Sequence, residues 1–410
     1  MRGRLGREVV RDLLWKNIRL EPAAADVVDT PAFQRLRYVR QLGHAFLVYP
    51  GATHSRFEHA LGAYHLTRRA LDGLAERGDL SDFDPDDALL IRLAALLHDI
   101  GHYPFSHALE EDGFASHEAL ARDHLGRPPL DAALAETALA APVERIAELI
   151  RGVGAHPLAG LVSGSLDLDK IDYLKRDALM CGVPYGEIDV DRLLACLVVV
   201  DEGGRRTVGV LEKGLSALES LLFAKYQMYR NVYWHHAVRS ATAMFKRLVR
   251  EAVAAGALDP ASLPGATDDG LLHDLVDLDR TGLAAALRER RLHKRALEIA
   301  AAELPAPLPR WLREDAPRRA GAEDALASRL GLAPGEVLVD YPHKAAMLGL
   351  DLAIVRRGGS VDRLGRGGWP GRIDLPRLAD DLAESARRLR VFTARPATVS
   401  VDDLFGVLCD

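Results

Sequence analysis

Three short stretches of this chain concentrate side chains that bind metals and move protons. They are His54-Ser-Arg-Phe-Glu-His59, His98-Asp99-Ile-Gly-His102-Tyr-Pro-Phe-Ser-His107 and Asp167-Leu-Asp169-Lys170-Ile-Asp172-Tyr173-Leu-Lys-Arg-Asp177. Two imidazoles and two carboxylates from separate elements can enclose one divalent ion. Such mixed ligation suits Fe, Mn, Zn, Ni, Co or Mg without selecting among them. Four protein ligands around a six-coordinate ion leave two positions, room for a water and a phosphate oxygen, as a hydrolytic metal requires. The adjacent pair His98-Asp99 is the most informative. Neighbours on a helix point about 100° apart, so both cannot lie on one buried stripe. Placed after Leu93-Ala-Ala-Leu-Leu97, they would be costly in an apolar interior unless paired or metal-bound. One His-Asp pair alone is more often a surface accident; the other two motifs change that balance.

The elements that position these side chains read as helices. Apolar residues recur at three-to-four spacing from Arg56 to Arg77 (Phe57, Leu61, Tyr64, Leu66, Leu71, Leu74), and Asp87 to Ile100 reads as a buried helix that Gly101 and Pro104 end. Leu215 to Ala254 predicts one long helix or two abutting ones. Gly256 to Gly270 reads as a surface loop, and Leu304 to Gly321, with Pro305, Pro307, Pro309 and Pro317, as a hinge. Beyond it Val337–Val339 and Leu352–Val355 look like short strands, Gly358-Gly359 and Gly367-Gly368 like turns, and Leu375 to Leu389 like a helix. The expected architecture is mainly α: a helical domain over residues 1–303, with its metal-binding core at about 50–180, a hinge at 304–321 and a small α+β lobe at 322–410.

The sequence resembles the HD-domain dNTP triphosphohydrolases. The similarity is collinear from about Val9 to Arg239 and includes Asp29-Thr-Pro-Ala-Phe-Gln-Arg-Leu-Arg-Tyr-Val-Arg-Gln-Leu-Gly43 and Tyr49-Pro-Gly-Ala-Thr-His-Ser-Arg-Phe-Glu-His59 as well as the two later motifs. No Gly-Tyr-Pro triplet follows His98-Asp99, which counts against a cyclic-dinucleotide phosphodiesterase. The resemblance implies His59, His98, Asp99 and Asp169 as ligands of one divalent ion. It implies Arg56, Lys170 and Arg230 as phosphate-holding cations, a role that suits their charge. Gln41 and Leu42 would lie against the sugar, with Tyr173 and Asp177 at the sugar end, and His102, His107 and His117 around the scissile phosphate. His117 is the candidate general acid, with Glu110 or Glu118 holding its ring protonated, since a nearby carboxylate raises an imidazole pKa.

The same resemblance places Asp29, Gln34, Arg37 and Arg192 at a possible nucleotide activator site. Two departures count against activation: Glu8 stands where the family has a phosphate-holding lysine, and Leu13-Leu-Trp-Lys16 replaces its Pro-Ile-His-Gly. For each position there is a plainer reading: solvated ion pairs for Arg56 and Lys170, a helix surface for Gln41 and His117, an apolar core for Tyr173, aromatic packing around Arg230, a polar network for Asp29, Gln34 and Arg37.

Bulk properties set outer limits. Hydrophobic residues make up 48% and charged residues 27%, a globular balance. The longest apolar run, Leu193 to Val200, falls short of the roughly 20 residues of a membrane span, and nothing at the start reads as an export signal. Cys181, Cys196 and Cys409 are too few and scattered for a disulfide framework, so a reducing cytoplasm is expected. A net charge of −6 disfavours a nucleic-acid binder but not a phosphorylated small molecule. The expectation is a cytoplasmic, homo-oligomeric enzyme that cleaves dNTPs to deoxynucleoside and triphosphate. The alternatives are an HD phosphohydrolase acting on nucleoside mono- or diphosphates or a signalling nucleotide, and a non-catalytic nucleotide-binding regulator. Asp340-Tyr-Pro-His343 reads as a turn.

Overall fold

The computed structural model describes residues 8–342, 351–365 and 374–409. Strands β1 (Glu8–Asp12) and β2 (Lys16–Leu20) pair as an antiparallel hairpin ahead of the helical core. That core is built from α1 (Arg56–Glu76), α2 (Pro85–Leu97), α3 (His117–Leu125), α4 (Pro142–Ile150) and α5 (Asp169–Cys181). Local chemistry marks their starts. Ser55 and Glu58 form a capping box at α1, Asp84 caps α2 with Pro85 in its first turn, and Ser116 Oγ accepts from Ala119 N–H at α3. Leu61, Leu66 and Leu74 of α1 face Ile91, Leu93 and Leu97 of α2 and Ile171 and Leu174 of α5 in one fully buried cluster. Each such leucine contributes about 1.5–3 kcal/mol of burial.

Strands β3 (Leu197–Glu202) and β4 (Arg205–Leu211) follow, then α6 (Leu215–Met228) and α7 (His236–Ala254). Of the two readings of Leu215 to Ala254, the structure shows two helices, joined by a π-helical turn at Tyr229–Tyr233. Residues 256–270 are not wholly loop: Pro260–Gly265 forms a 3-10 turn, and Thr267 caps α8 (Asp268–Leu278).

The C-terminal part contains β5 (Lys294–Ala300), α9 (Ala316–Arg329), β6 (Val337–Asp340), β7 (Leu352–Val355), β8 (Val361–Leu364), α10 (Leu375–Ala386), β9 (Arg388–Thr393) and α11 (Val401–Leu408). The stretch read as a hinge holds a short helix, Trp311–Glu314, and the start of α9, where Pro317 sits in the first turn rather than breaking a helix. Strands cross the expected boundary in both directions. β4 pairs in parallel with β7, giving the order β3-β4-β7-β8, while β5 joins β9 and β6 in a second sheet. Leu338 and Phe392 of that second sheet share a buried cluster with Met244, Phe245 and Leu248 of α7. The C-terminal sheet is thus packed onto the helix that follows the core. The helix expected to reach Leu389 stops at Ala386, and residues 388–389 already belong to β9. Gly367-Gly368 and His343 lie outside the described residues. Among the described residues, no helix is long and apolar enough to cross a membrane.

Candidate metal and acid–base site

His98 sits at the C-terminal end of α2, His59 one turn into α1, and Asp169 opens α5. The three converge: one ligand atom from each lies within 4.8 Å of the others. His59 Nε2 and His98 Nε2 are 3.2 Å apart. Their other nitrogens are committed, His98 Nδ1 to the Ala95 carbonyl at 2.8 Å and His59 Nδ1 to Asp172 Oδ2 at 2.8 Å. A carbonyl and a carboxylate only accept, so each Nδ1 carries a proton and the two Nε2 atoms are left facing each other. Two facing lone pairs need a proton or a cation between them. Asp169 Oδ1, buried and without a hydrogen-bond partner among the described residues, adds a third donor atom. This donor set fits a divalent ion of the first transition row.

Asp99 stands at the edge of this trio. Its Oδ2 is 3.7 Å from His59 Nε2 and its Oδ1 3.4 Å from His98 Nε2. Buried Arg56 donates from Nη1 to Asp99 Oδ2 at 2.6 Å and from Nη2 to Ser106 Oγ. Burial by itself would raise the Asp99 pKa, but Arg56, His98 and His102 hold it well below the usual range. For Asp169 too the effect of burial is outweighed, here by a hydrogen bond with Asp167 and by Lys170, and the net shift is downward. Asp167 is pushed up to about 7, mainly by burial and then by Asp169.

A second cluster adjoins the first: His102, His107, Glu110 and His117 also bring one ligand atom each within 4.8 Å. It lies on the connection between α2 and α3, where Phe105 and Ser106 adopt left-handed φ values of 58° and 65°. Such conformations cost about 1–2 kcal/mol each outside glycine. Asp268 of α8 supports the bend by accepting from Phe105 N–H at 2.7 Å. Gly101 lets the chain close: a Cβ there would collide with the His117 carbonyl. The rings of His102 and His117 stack at 3.7 Å.

His117 Nδ1 lies 2.9 Å from Glu110 Oε1, while Glu118 Oε1 is 3.4 Å from His117 Nε2 and half exposed. Burial favours a neutral His117, yet the Glu110 hydrogen bond and charge, with Asp99 and Glu118, raise its pKa above the ordinary value. Glu110 is shifted strongly down despite burial, by His107 and His117. His102 is kept neutral by burial and by the nearby Arg56 and His117 charges. His107, with 53% of its side chain exposed, marks the open side of the cluster. Asp99 Oδ1 lies 3.1 Å from His102 Nε2 and 3.9 Å from His117 Nε2, so one carboxylate borders both clusters.

The remaining expected residues are placed as follows. Gln41 is buried, its carbonyl accepts from Ser106 Oγ at 3.0 Å, and its Oε1 has no partner among the described residues; Leu42 beside it is half-buried. Lys170 Nζ is bound to Asp167 and to the Gly164 carbonyl at 2.8 Å. Tyr173 meets His59 edge-on with ring centres 6.2 Å apart. Asp177 is buried and engaged by His54 Nε2 at 2.8 Å and Tyr233 Oη at 2.6 Å. Arg230 is exposed and donates to Tyr226 Oη at 2.8 Å.

Arg37 Nε donates to Gln34 Oε1 at 2.7 Å and stacks on Phe57, whereas Arg192 donates to the Lys213 carbonyl at 3.3 Å. Asp29 and Arg37 are exposed. Asp340, read as part of a turn, instead ends β6 as the buried partner of Arg239.

Sequence reasoning missed the support behind His59. Asp172 Oδ2 orients that ring, and Asp172 in turn accepts from Arg176 at 2.9 and 2.8 Å and from Trp15 Nε1. Arg176 also reaches Asp12 Oδ2 at 2.7 Å. The hairpin turn whose sequence departs from the family pattern therefore buttresses a candidate metal ligand. The signal was available: Asp172 lies one turn beyond Asp169 on the same helix face.

Helical core, facing imidazoles and an adjoining acid–base cluster define an HD-type metal site. Residues 56–177 match the family model described as HD domain, and residues 188–367 match one described as HD associated region. The chain carries an HD domain. It is similar to an uncharacterized protein from Methanocaldococcus jannaschii, 36% identical over 74% of this chain and 62% of the relative. It is also similar to the deoxynucleoside triphosphate triphosphohydrolase SAMHD1 of Xenopus laevis, 29% identical over 56% of this chain and 43% of that protein. The chain thus spans about half of the length of such curated relatives. A crystal structure of a hypothetical protein from Aquifex aeolicus superposes with a TM-score of 0.72 at 27% identity, covering 95% of this chain and 97% of that one.

Proposed function

We propose that this protein is a metal-dependent nucleotide phosphohydrolase that cleaves dNTPs to deoxynucleoside and triphosphate. The observation that carries the reading is Asp99, which borders the His59–His98–Asp169 trio on one side and the His102–His117–Glu110 cluster on the other. A phosphate seated there would meet a candidate metal site and a proton donor together. The similarity to a deoxynucleoside triphosphate triphosphohydrolase supports the choice of substrate.

His59, His98, Asp99 and Asp169 would hold the ion, which when bound supplies electrophilic polarisation of a phosphate oxygen. The chain's own groups do the rest. Asp172 and the Ala95 carbonyl fix the tautomers of His59 and His98, and Arg56 holds Asp99 ionised. His117, kept protonated by Glu110, gives its proton to the departing 5′ oxygen as a water oxygen bonds to the α-phosphorus and the P–O5′ bond breaks, the water's protons passing to solvent as triphosphate leaves. His102, neutral and stacked on His117, and His107 at the open side contact the phosphate. Arg56, Lys170 and Arg230 balance the charge of the phosphate chain, while Gln41, Leu42, Tyr173 and Asp177 border the sugar. Asp29, Gln34, Arg37 and Arg192 would form an activator site only if a nucleotide drew Arg192 off the Lys213 carbonyl.

The test is purified protein with Mn, Mg, Co or Ni and each dNTP, singly and mixed, analysed for products. Deoxynucleoside with inorganic triphosphate is expected. Orthophosphate or pyrophosphate would move the function to another nucleotide chemistry, and no hydrolysis by metal-loaded protein would point to a regulator.

A further inference from the structure

Three consecutive acids, Glu110, Glu111 and Asp112, make up a single 3-10 turn. Glu110 faces the histidines. The other two are gripped from the opposite side. Glu111 accepts from Arg239 Nη1 at 3.0 Å and Nη2 at 2.7 Å, with Lys246 Nζ 3.5 Å away. Asp112, buried, accepts from Arg319 Nη2 and lies 3.1 Å from Arg250 Nε. Arg239 is itself held by Asp340, at 2.9 and 2.6 Å. Arg239, Lys246, Arg319 and Asp340 are all at least nine-tenths buried.

Buried charges that lose their partners are strongly destabilising. The turn therefore cannot rotate without drawing two carboxylates out of cationic sockets, and those carboxylates are the next two residues after Glu110. Arg239 and Lys246 belong to α7, but Arg319 comes from α9 and Asp340 from β6. The C-terminal sheet and its helix thus reach back to the turn that carries the partner of His117.

We propose that Arg319 and Asp340 are positioning residues: through Asp112 and Arg239–Glu111 they fix the turn that aims Glu110 at His117. The C-terminal unit is then part of the acid–base apparatus, although none of its described residues is placed at the reacting phosphate. The kinetic consequence rests on the proposed function; the mechanical one does not.

The test compares Arg319→Met, Asp340→Asn and the conservative Arg319→Lys in the full chain. Hydrogen–deuterium exchange of metal-free protein reads the mechanics directly. Peptides over residues 106–118 are expected to exchange about tenfold faster in Arg319→Met, with peptides over residues 56–76 unchanged. Kinetics read the chemistry. For a dNTP, whose alkoxide leaving group needs a proton, kcat is expected to fall about 100-fold with little change in KM. For bis(p-nitrophenyl) phosphate, whose phenolate leaves unaided, the fall is expected to be no more than about fivefold. Arg319→Lys should recover most of both losses. Unchanged exchange over 106–118 in folded Arg319→Met and Asp340→Asn overturns the proposal, as does an equal rate loss for both leaving groups. If Arg319→Met does not fold, Asp340→Asn, which keeps the side-chain volume, carries the comparison, with Arg319→Lys as its near-wild-type control. If the wild type cleaves neither ester, the functional reading fails and the exchange result alone decides.

Discussion

Replacing Asp172 with Asn tests whether His59 is a metal ligand held in place from behind. Each Asp172 oxygen accepts twice: Oδ1 from Trp15 Nε1 and Arg176 Nη2, Oδ2 from His59 Nδ1 and Arg176 Nε. An asparagine must turn its amide nitrogen toward one of those pairs of donors, and it carries no charge in either orientation. Losing such a partner of a ligating histidine costs about 10–100-fold in metal affinity, or about 1.4–2.7 kcal/mol. Breaking a buried ion pair costs about 3–5 kcal/mol. The lower end is expected here, because Arg176 keeps Asp12 at 2.7 Å.

Neighbouring Arg176 and His59 hold the Asp172 carboxyl below the usual range against the opposing effect of burial. Its stabilisation is therefore present above the unfolded value of about 3.9 and lost only as pH falls through the lower folded value. The destabilisation of Asp172→Asn should then be flat between about pH 6 and 8. Calorimetric titration with Mn(II) near neutral pH, beside thermal melts, measures both effects. A folded Asp172→Asn protein that binds Mn(II) within about threefold of wild type would refute the reasoning, since losing the carboxylate behind a ligating histidine costs about tenfold at least.

Three further outcomes follow from the same geometry. Gly62→Ala would place a Cβ against the Asp172 carboxylate and 2.7 Å from Arg176 Nη2; a loss of about 1–3 kcal/mol is expected in denaturant titration, whereas an unconstrained helix would gain about 1 kcal/mol from alanine. Glu110→Gln removes the carboxylate that raises the His117 pKa. Turnover should fall about 100-fold, and the stability gap to wild type, measured by melts across pH, should be widest below about pH 6.5 and close as pH rises through the raised His117 value. His117→Ala should abolish turnover while leaving bound metal, read by elemental analysis, unchanged.

Much of the helical core was legible because its periodicity is sustained over long windows. Arg56 to Arg77 needed no tertiary information, and the capping residues at Ser55 and Asp84 agree with it. The strands were harder. Leu193 to Val200 is one apolar run in the chain but a helix end and the start of β3 in space, and no glycine or proline marks the change. Nor does any breaker separate α10 from β9, so the helix seemed to continue to Leu389. The prolines of 304–321 misled in the other direction, because Pro317 serves a helix start. In the site, the histidines and acids stood out by type and spacing. Their supports did not: Arg56 meets Asp99 across 43 residues of chain, and Arg319 meets Asp112 across 207. Such pairings are fixed only by the packing of α1 on α2 and of α9 on α7.

The position of Asp99 between two groups of histidines constrains how the site can work. Arg56 takes one carboxylate oxygen, leaving Oδ1 between His98 Nε2 at 3.4 Å and His102 Nε2 at 3.1 Å. Asp99 itself therefore borders both clusters, and a movement of its carboxylate would be felt by both. Arg56 gains importance from this, because its guanidinium spans Asp99 and Ser106 of the left-handed bend. A lysine there would keep the charge but bond one partner at a time, since it lacks the planar fork. The site thus depends on a two-pronged cation as much as on the four groups proposed to hold the ion.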